Sequence, residues 1–129
     1  MTTSADPMNW GRAAGVLGLV GVALGAFGAH GLRNRVGAAE LEVWRTGVMY
    51  HLVHALALLV VGLAGDRVRR HRLVGALFVT GIVIFSGTLY LLALVGPGWR
   101  WLGAVTPVGG AAFLAGWLVL AIGVRTPSR

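Results

Sequence analysis

Four long apolar stretches constrain this chain more than any other feature of its sequence. A bilayer core about 30 Å thick requires about 20 apolar residues in a helix that rises about 1.5 Å per residue. Stretches near that length run over 13–29, 46–64, 73–95 and 102–124, and the first contains no charged residue. We therefore predict an all-α membrane protein in which four transmembrane helices form a compact four-helix bundle.

The composition agrees with a chain whose main solvent is lipid. Its 129 residues are 57% hydrophobic and 12% charged, whereas a soluble domain is typically about 25% charged. At this length we expect a single four-span domain over 1–129. Because the sequence contains no cysteine, disulfides, thiolate nucleophiles and zinc-finger ligands are excluded for this chain.

The segments that connect the apolar stretches are short and rich in arginine. Between the first two spans lies HGLRNRVGAAELEVWR, which has good helix formers from Ala38 onward. This pattern predicts a short interfacial helix between helices 1 and 2 that leads into the second span. The segments GDRVRRHR, 65–72, and GPGWRW, 96–101, indicate turns too short to hold a globular domain.

All 11 basic residues are arginines, and they lie at the edges of the apolar stretches. Seven fall on the side that holds both termini and the central turn, and four fall on the opposite side. Because cytoplasmic loops are enriched in lysine and arginine, we expect both termini to be cytoplasmic. The partner that these arginines indicate is the anionic surface of the lipid bilayer, and no basic face for nucleic acid is present.

The first span carries a ridge of glycines. They recur at steps of three or four residues, which returns them to one helical face: Gly11, Gly15, Gly18, Gly21, Gly25 and Gly28. Such a ridge lets two helix backbones approach closely in lipid, where no hydrophobic drive brings helices together. We expect a close crossing with another helix, either of the same chain or of a second copy.

A few polar residues within the spans are the candidate functional residues. Tyr50, His51 and His54 lie near the start of the second predicted span, and His30 lies at the end of the first. Ionisable residues at membrane depth are costly and usually face the bundle interior or water. These imidazoles could bind a transition metal, relay protons, hydrogen-bond a quinone, or ligate haem with His30 paired to His51 or His54. They could equally bond to other helices and lock the bundle.

Several other chemistries have no support in this sequence. Ser86 stands outside any G-x-S-x-G frame and no aspartate lies within a span, so a serine-hydrolase triad is not indicated. A small proton-coupled exporter needs a carboxylate within the membrane, and the spans contain none. No phosphate-binding glycine loop is present. We expect no enzyme activity, no catalytic residues, no bound metal and no cofactor.

Four stretches give the chain a resemblance to a known family. They are LGAFGAHGL at 24–32, TGVMYHLVHALALL at 46–59, FSGTLYLLAL at 85–94, and TPVGGAAFLAGW at 106–117. In order, they resemble the small integral membrane protein family termed domain of unknown function 423, or transmembrane protein 256-like. The resemblance implies a four-span protein of the bacterial inner membrane without an established activity.

The resemblance also bears on the candidate site. The family pattern often has glutamine where His51 stands, so a site common to the family would centre on His30, Tyr50, His54 and Ser86 as ligand contacts. We expect a non-enzymatic membrane component, either an accessory subunit or a small homo-oligomer, that binds a lipid or another ligand. Two alternatives are a redox subunit whose histidines hold haem or contact quinone, and a small transporter or channel.

Overall fold

The computed structural model describes residues 9–127, and this part of the chain is almost entirely helical. Its helices are α1 (Trp10–His30), α2 (Ala38–Ala64), α3 (His71–Gly81), α4 (Gly87–Val95) and α5 (Leu102–Gly123). A π-helical turn over Ile82–Ser86 joins α3 to α4, so that His71–Val95 forms one span. Four helical segments are therefore long and apolar enough to cross a membrane, which confirms the predicted fold class.

The second apolar stretch is part of a longer helix. Helix α2 starts at Ala38 and continues without interruption to Ala64. The helix expected between the first two spans is thus present as the first turns of α2. Its buried face holds Leu41 and Trp44, and the Trp44 Nε1 atom donates a hydrogen bond to the Leu24 carbonyl oxygen at 2.9 Å. These contacts fix the start of α2 against the end of α1.

The glycine ridge of α1 is divided between two environments. Gly21, Gly25 and Gly28 lie against α2, and a Cβ atom added at Gly28 would stand 2.5 Å from Trp44 Cδ1. The predicted close crossing is therefore made with a helix of the same chain. At Gly15 and Gly18 an added Cβ atom would meet no neighbouring atom within 4 Å, and these two glycines line an outward-facing apolar groove.

The core lies where α2, α3 and α5 meet. Val61 of α2 packs there with Val74 and Phe78 of α3 and with Phe113 of α5. Glycines let α3 and α5 approach closely, because a Cβ atom at Gly81 would collide with the Phe113 ring. The bundle is consequently held by large apolar side chains that fit over glycine backbones on the facing helix.

A short backbone pairing ties the central turn to the end of α5. Val68 forms an isolated antiparallel bridge with Val124. The Arg69 amide donates to the Gly123 carbonyl oxygen at 2.7 Å, and the Arg125 amide donates to the Arg67 carbonyl oxygen at 3.0 Å. The Val68 side chain is buried in the same core as Phe78. The pairing therefore brings the arginines of two distant segments to one end of the bundle.

Candidate functional site

A groove of about 430 Å³ opens on the side of the bundle between α2 and α5. Four aromatic rings line it, with His54 beside them: Tyr50, Phe85, Phe113 and Trp117. The residues that α5 contributes lie between Pro107 and Trp117, about 8 to 22 Å from the helix start at about 1.5 Å per residue. The groove is therefore at the depth of the hydrocarbon core of a bilayer.

His54 is fixed at the floor of the groove by two hydrogen bonds. Its Nε2 atom accepts from the Trp117 indole N–H at 2.9 Å, and its Nδ1 atom lies 2.7 Å from the Tyr50 carbonyl oxygen. Because an indole can only donate and a carbonyl can only accept, Nδ1 carries the proton and the ring is neutral. The imidazole also stacks on Phe113, with ring centroids 3.6 Å apart.

Tyr50 presents the polar atom of the groove that is available to a ligand. Its ring packs against Phe85 with centroids 4.6 Å apart, and 38% of the residue is exposed. Within residues 9–127 its hydroxyl makes no hydrogen bond, since the contacts of Tyr50 are ring packing and its carbonyl bond to His54. A phenol in hydrocarbon without a partner carries an unfavourable free energy that a ligand oxygen would remove.

The remaining polar residues of the second and third spans bond helices together. His51 Nε2 lies 2.8 Å from the Leu17 carbonyl oxygen of α1, and His51 Nδ1 lies 2.9 Å from the Tyr90 hydroxyl of α4. Ser86 is fully buried and donates its hydroxyl to the Gly47 carbonyl oxygen at 2.7 Å. Ser86 thus holds the π-helical turn against α2, and it does not line the groove.

His30 lies far from the other three candidates. The bond between His51 and Leu17 sets the register of α1 against α2. His30 is thirteen residues beyond Leu17 on α1, which places it about 20 Å further along the axis. It is exposed at the end of its helix. The structure therefore does not bring His30 together with Tyr50, His54 and Ser86, because α2 is one continuous helix from Ala38 and carries Tyr50 and His54 deep into the bundle.

Three aromatic residues of the groove were not predicted as site residues from the sequence. Phe85, Phe113 and Trp117 form its walls but resemble ordinary apolar positions in their spans. Trp117 could have been recognised as a candidate. It lies inside the last apolar stretch, away from the membrane interface where tryptophan is common. An indole N–H at hydrocarbon depth needs an acceptor, and a histidine within the membrane can provide one.

The arrangement is better suited to binding than to proton transfer or metal ligation. Every ring nitrogen of His51 and His54 has a hydrogen-bond partner, so neither ring offers a free lone pair. In the part of the chain that the structure describes, no three histidine, aspartate or glutamate side chains come together as metal ligands. The haem hypothesis, which paired His30 with His51 or His54, is not favoured by these positions.

Fold and groove together define a polytopic α-helical membrane protein with four spans and an aromatic groove on its side. The chain belongs to the family described as protein of unknown function DUF423, whose sequence profile matches residues 24–110.

Relatives from several bacteria resemble the chain over most of its length. The UPF0382 inner membrane protein YgdD of Escherichia coli K12 is 44% identical over 114 residues, which cover 85% of this chain and 84% of the relative. The UPF0382 membrane protein YwdK of Bacillus subtilis is 45% identical over 107 residues, which cover 81% and 85% of the two chains. No solved structure matches the chain.

Proposed function

We propose that this protein is a non-enzymatic component of the bacterial inner membrane that binds a membrane-dissolved ligand in the groove between α2 and α5. The observation that carries the proposal is the Tyr50 hydroxyl, which has no hydrogen-bond partner among residues 9–127 and lies in an aromatic groove open to the bilayer. The expected ligand is lipophilic. It has an acyl chain or a flat ring that packs on the aromatic side chains, and an oxygen atom that forms a hydrogen bond with the Tyr50 hydroxyl. The inner-membrane location is supported by the name of the Escherichia coli relative.

The groove has the features of a site for a small apolar ligand. Such sites are mostly apolar, with a few placed polar groups, and have volumes of about 300 to 1,000 Å³. Phe113 is held between the His54 ring and the groove, while Trp117 is held by its bond to His54. These two rings are therefore fixed before a ligand arrives, which lowers the entropic cost of binding. If the protein is instead a redox subunit that contacts quinone, the quinone would bind in the same groove and bond to the same Tyr50 hydroxyl.

Filling the groove is expected to prevent binding. Gly110 lines the groove, and a Cβ atom there would meet only the Phe85 ring, with Cδ2 at 3.7 Å, an ordinary contact. A Gly110→Leu side chain can therefore extend into the open space. In liposomes that contain a fatty acid with a photoreactive diazirine in its chain, we expect labelling of the groove segment around Trp117 to fall about tenfold, the equivalent of about 1.4 kcal/mol.

The same helix offers a matched control for this experiment. Gly103 is exposed on α5 and has no neighbouring atom within 4 Å of an added Cβ, so Gly103→Leu adds the same side chain outside the groove. Labelling of Gly103→Leu should equal that of the unmodified protein. Equal labelling of Gly110→Leu would show that the groove is not a binding site. Competition by decylubiquinone would identify a quinone ring as the preferred occupant.

We infer from the arginine distribution that both termini face the cytoplasm. Green fluorescent protein fused to either end should be fluorescent, and alkaline phosphatase fused at either end should be inactive. Phosphatase inserted between α1 and α2, after residue 34, should be active and serves as the control. An active phosphatase at one terminus would contradict the orientation of that end.

A further inference from the structure

The bridge between Val68 and Val124 builds a charged surface at one end of the bundle. Val68 has extended backbone angles, φ −110° and ψ 110°, and its side chain is buried in the core. Arg67 and Arg69, on either side of Val68, are exposed. Arg125, which follows Val124 on the other side of the bridge, joins them at this surface.

A groove of about 410 Å³ lies in this surface. Four arginines and one carboxylate line it: Arg69, Arg70, Arg72, Arg125 and Asp66. In residues 9–127 no carboxylate forms an ion pair with Arg69, Arg70 or Arg125, and the Asp66 carboxylate lies 3.9 Å from His71 Nδ1. Helix α3 also starts at this groove without a side-chain cap, which adds the positive end of its dipole.

A second groove adjoins the first and lies against α5. Its volume is about 150 Å³, and Arg69 and Arg70 line both grooves. Its other walls are Val119 and Ile122 with the backbone at Gly123, and Ile122 is 76% exposed. Through their shared residues Arg69 and Arg70, the two grooves place a cationic pocket at the end of the bundle next to an apolar surface at its side.

We propose that this pair of grooves binds an anionic phospholipid, with the phosphate on Arg69, Arg70 and Arg125 and the start of an acyl chain along Val119 and Ile122. Guanidinium groups bind phosphate oxygens through paired hydrogen bonds and keep their charge at any physiological pH. The apolar groove favours a phospholipid over a free phosphate, because a free phosphate has no acyl chain to contact Val119 and Ile122. This site is independent of the groove between α2 and α5.

Titration of the detergent-purified protein with defined lipids, followed by native mass spectrometry, tests the proposal. We expect dioleoylphosphatidylglycerol to bind more tightly than dioleoylphosphatidylcholine and far more tightly than glycerol 3-phosphate. The variant Arg69→Gln, Arg70→Asn, Arg125→Gln should lose about a hundredfold in apparent affinity for phosphatidylglycerol, since each arginine contributes roughly fivefold. Asparagine is chosen at Arg70 because that residue has a left-handed backbone, φ 61°, which asparagine tolerates.

Arginines at the opposite end of the bundle provide a control of equal charge. The variant Arg33→Gln, Arg35→Gln, Arg100→Gln also removes three exposed arginines and should keep the affinity of the unmodified protein. Equal loss in both triple variants would overturn the proposal in favour of diffuse attraction by net charge. Glycerol 3-phosphate binding as tightly as phosphatidylglycerol would overturn it in favour of a free-phosphate site.

If the triple variant does not fold, two single variants test the same proposal. Arg70→Asn alone should weaken phosphatidylglycerol binding about fivefold without lowering the thermal unfolding midpoint in detergent. Ile122→Ser should weaken phosphatidylglycerol binding and leave any glycerol 3-phosphate binding unchanged. Unchanged phosphatidylglycerol affinity in both folded single variants would overturn the proposal.

Discussion

Replacement of Gly109 by alanine is expected to destabilise the bundle by about 3 kcal/mol, at the upper end of the usual cost of overpacking. An added Cβ atom would collide with the backbone nitrogen of Phe85 and lie 2.8 Å from its Cα atom. A flexible side chain could rotate away, but these atoms belong to the π-helical turn Ile82–Ser86. The turn and α5 would therefore have to separate along their whole contact.

The neighbouring glycine is the control for this prediction. Gly110→Ala adds the same methyl group one residue along, where the nearest atom is 3.7 Å from the new Cβ, and should cost less than about 1 kcal/mol. Detergent unfolding curves, followed by circular dichroism, measure both variants. Equal stability of the two variants would mean that α5 and the π-helical turn do not approach as closely as the structure places them.

Replacement of His54 by alanine is expected to cost about 3 kcal/mol, because it removes a buried ring and one partner of an interhelical hydrogen bond. The Trp117 indole N–H would lose its acceptor, and Phe113 would lose the ring on which it stacks. His54 is 4% exposed, so the change would also leave a cavity between α2 and α5. The same unfolding curves give the size of the effect.

Two further variants separate the contributions to this loss. His30→Ala, at an exposed position on the end of α1, should leave stability unchanged. In a double-mutant cycle with Trp117→Phe, the coupling energy should be about 0.5 to 2 kcal/mol, the range of interhelical hydrogen bonds in membranes. A His30→Ala variant as unstable as His54→Ala, or a coupling energy of zero, would contradict this account of the histidines.

The spans could be predicted from the sequence because their signal is local. An apolar stretch of sufficient length must be helical in lipid whatever it packs against, since no other local structure satisfies its backbone. Whether the helix from Ala38 lies on the membrane surface or forms the first turns of the second span could not be decided by the same reasoning. From Ala38 to Arg45 the chain alternates polar and apolar residues with helical spacing, and that spacing fits a helix on the membrane surface as well as the first turns of a long span.

The placement of the second predicted span at Thr46 also affects the candidate site. With the second span starting at Thr46, Tyr50 and His54 lie near its entrance and close to His30. With α2 starting at Ala38, they lie twelve and sixteen residues into the helix. Tyr50 and His54 could be identified as candidates because polar residues are rare at that depth. Phe85 and Phe113 could not, because their role depends on the register of α3 and α5, which the sequence pattern does not fix.

The π-helical turn also could not be predicted from the hydrophobic periodicity of the sequence. Ile82–Ser86 is a uniformly apolar run that ends in Ser86, with no proline or polar interruption to mark a change of helix type. The wider turn shifts the faces of α4 relative to those of α3. This shift lets Ser86 reach the Gly47 carbonyl oxygen while Phe85 lies in the groove wall.

The pairing of Val68 with Val124 imposes an order on assembly of the protein in the membrane. Its two partners are separated in the chain by the whole of α3, α4 and α5. The pairing cannot form until the ribosome has completed α5 and that helix has inserted. The first three spans must therefore stay in the bilayer without this closure, supported by the contacts of α2 with α1 and α3. Completion of the last helix is then the event that lets the central turn pair with the end of α5.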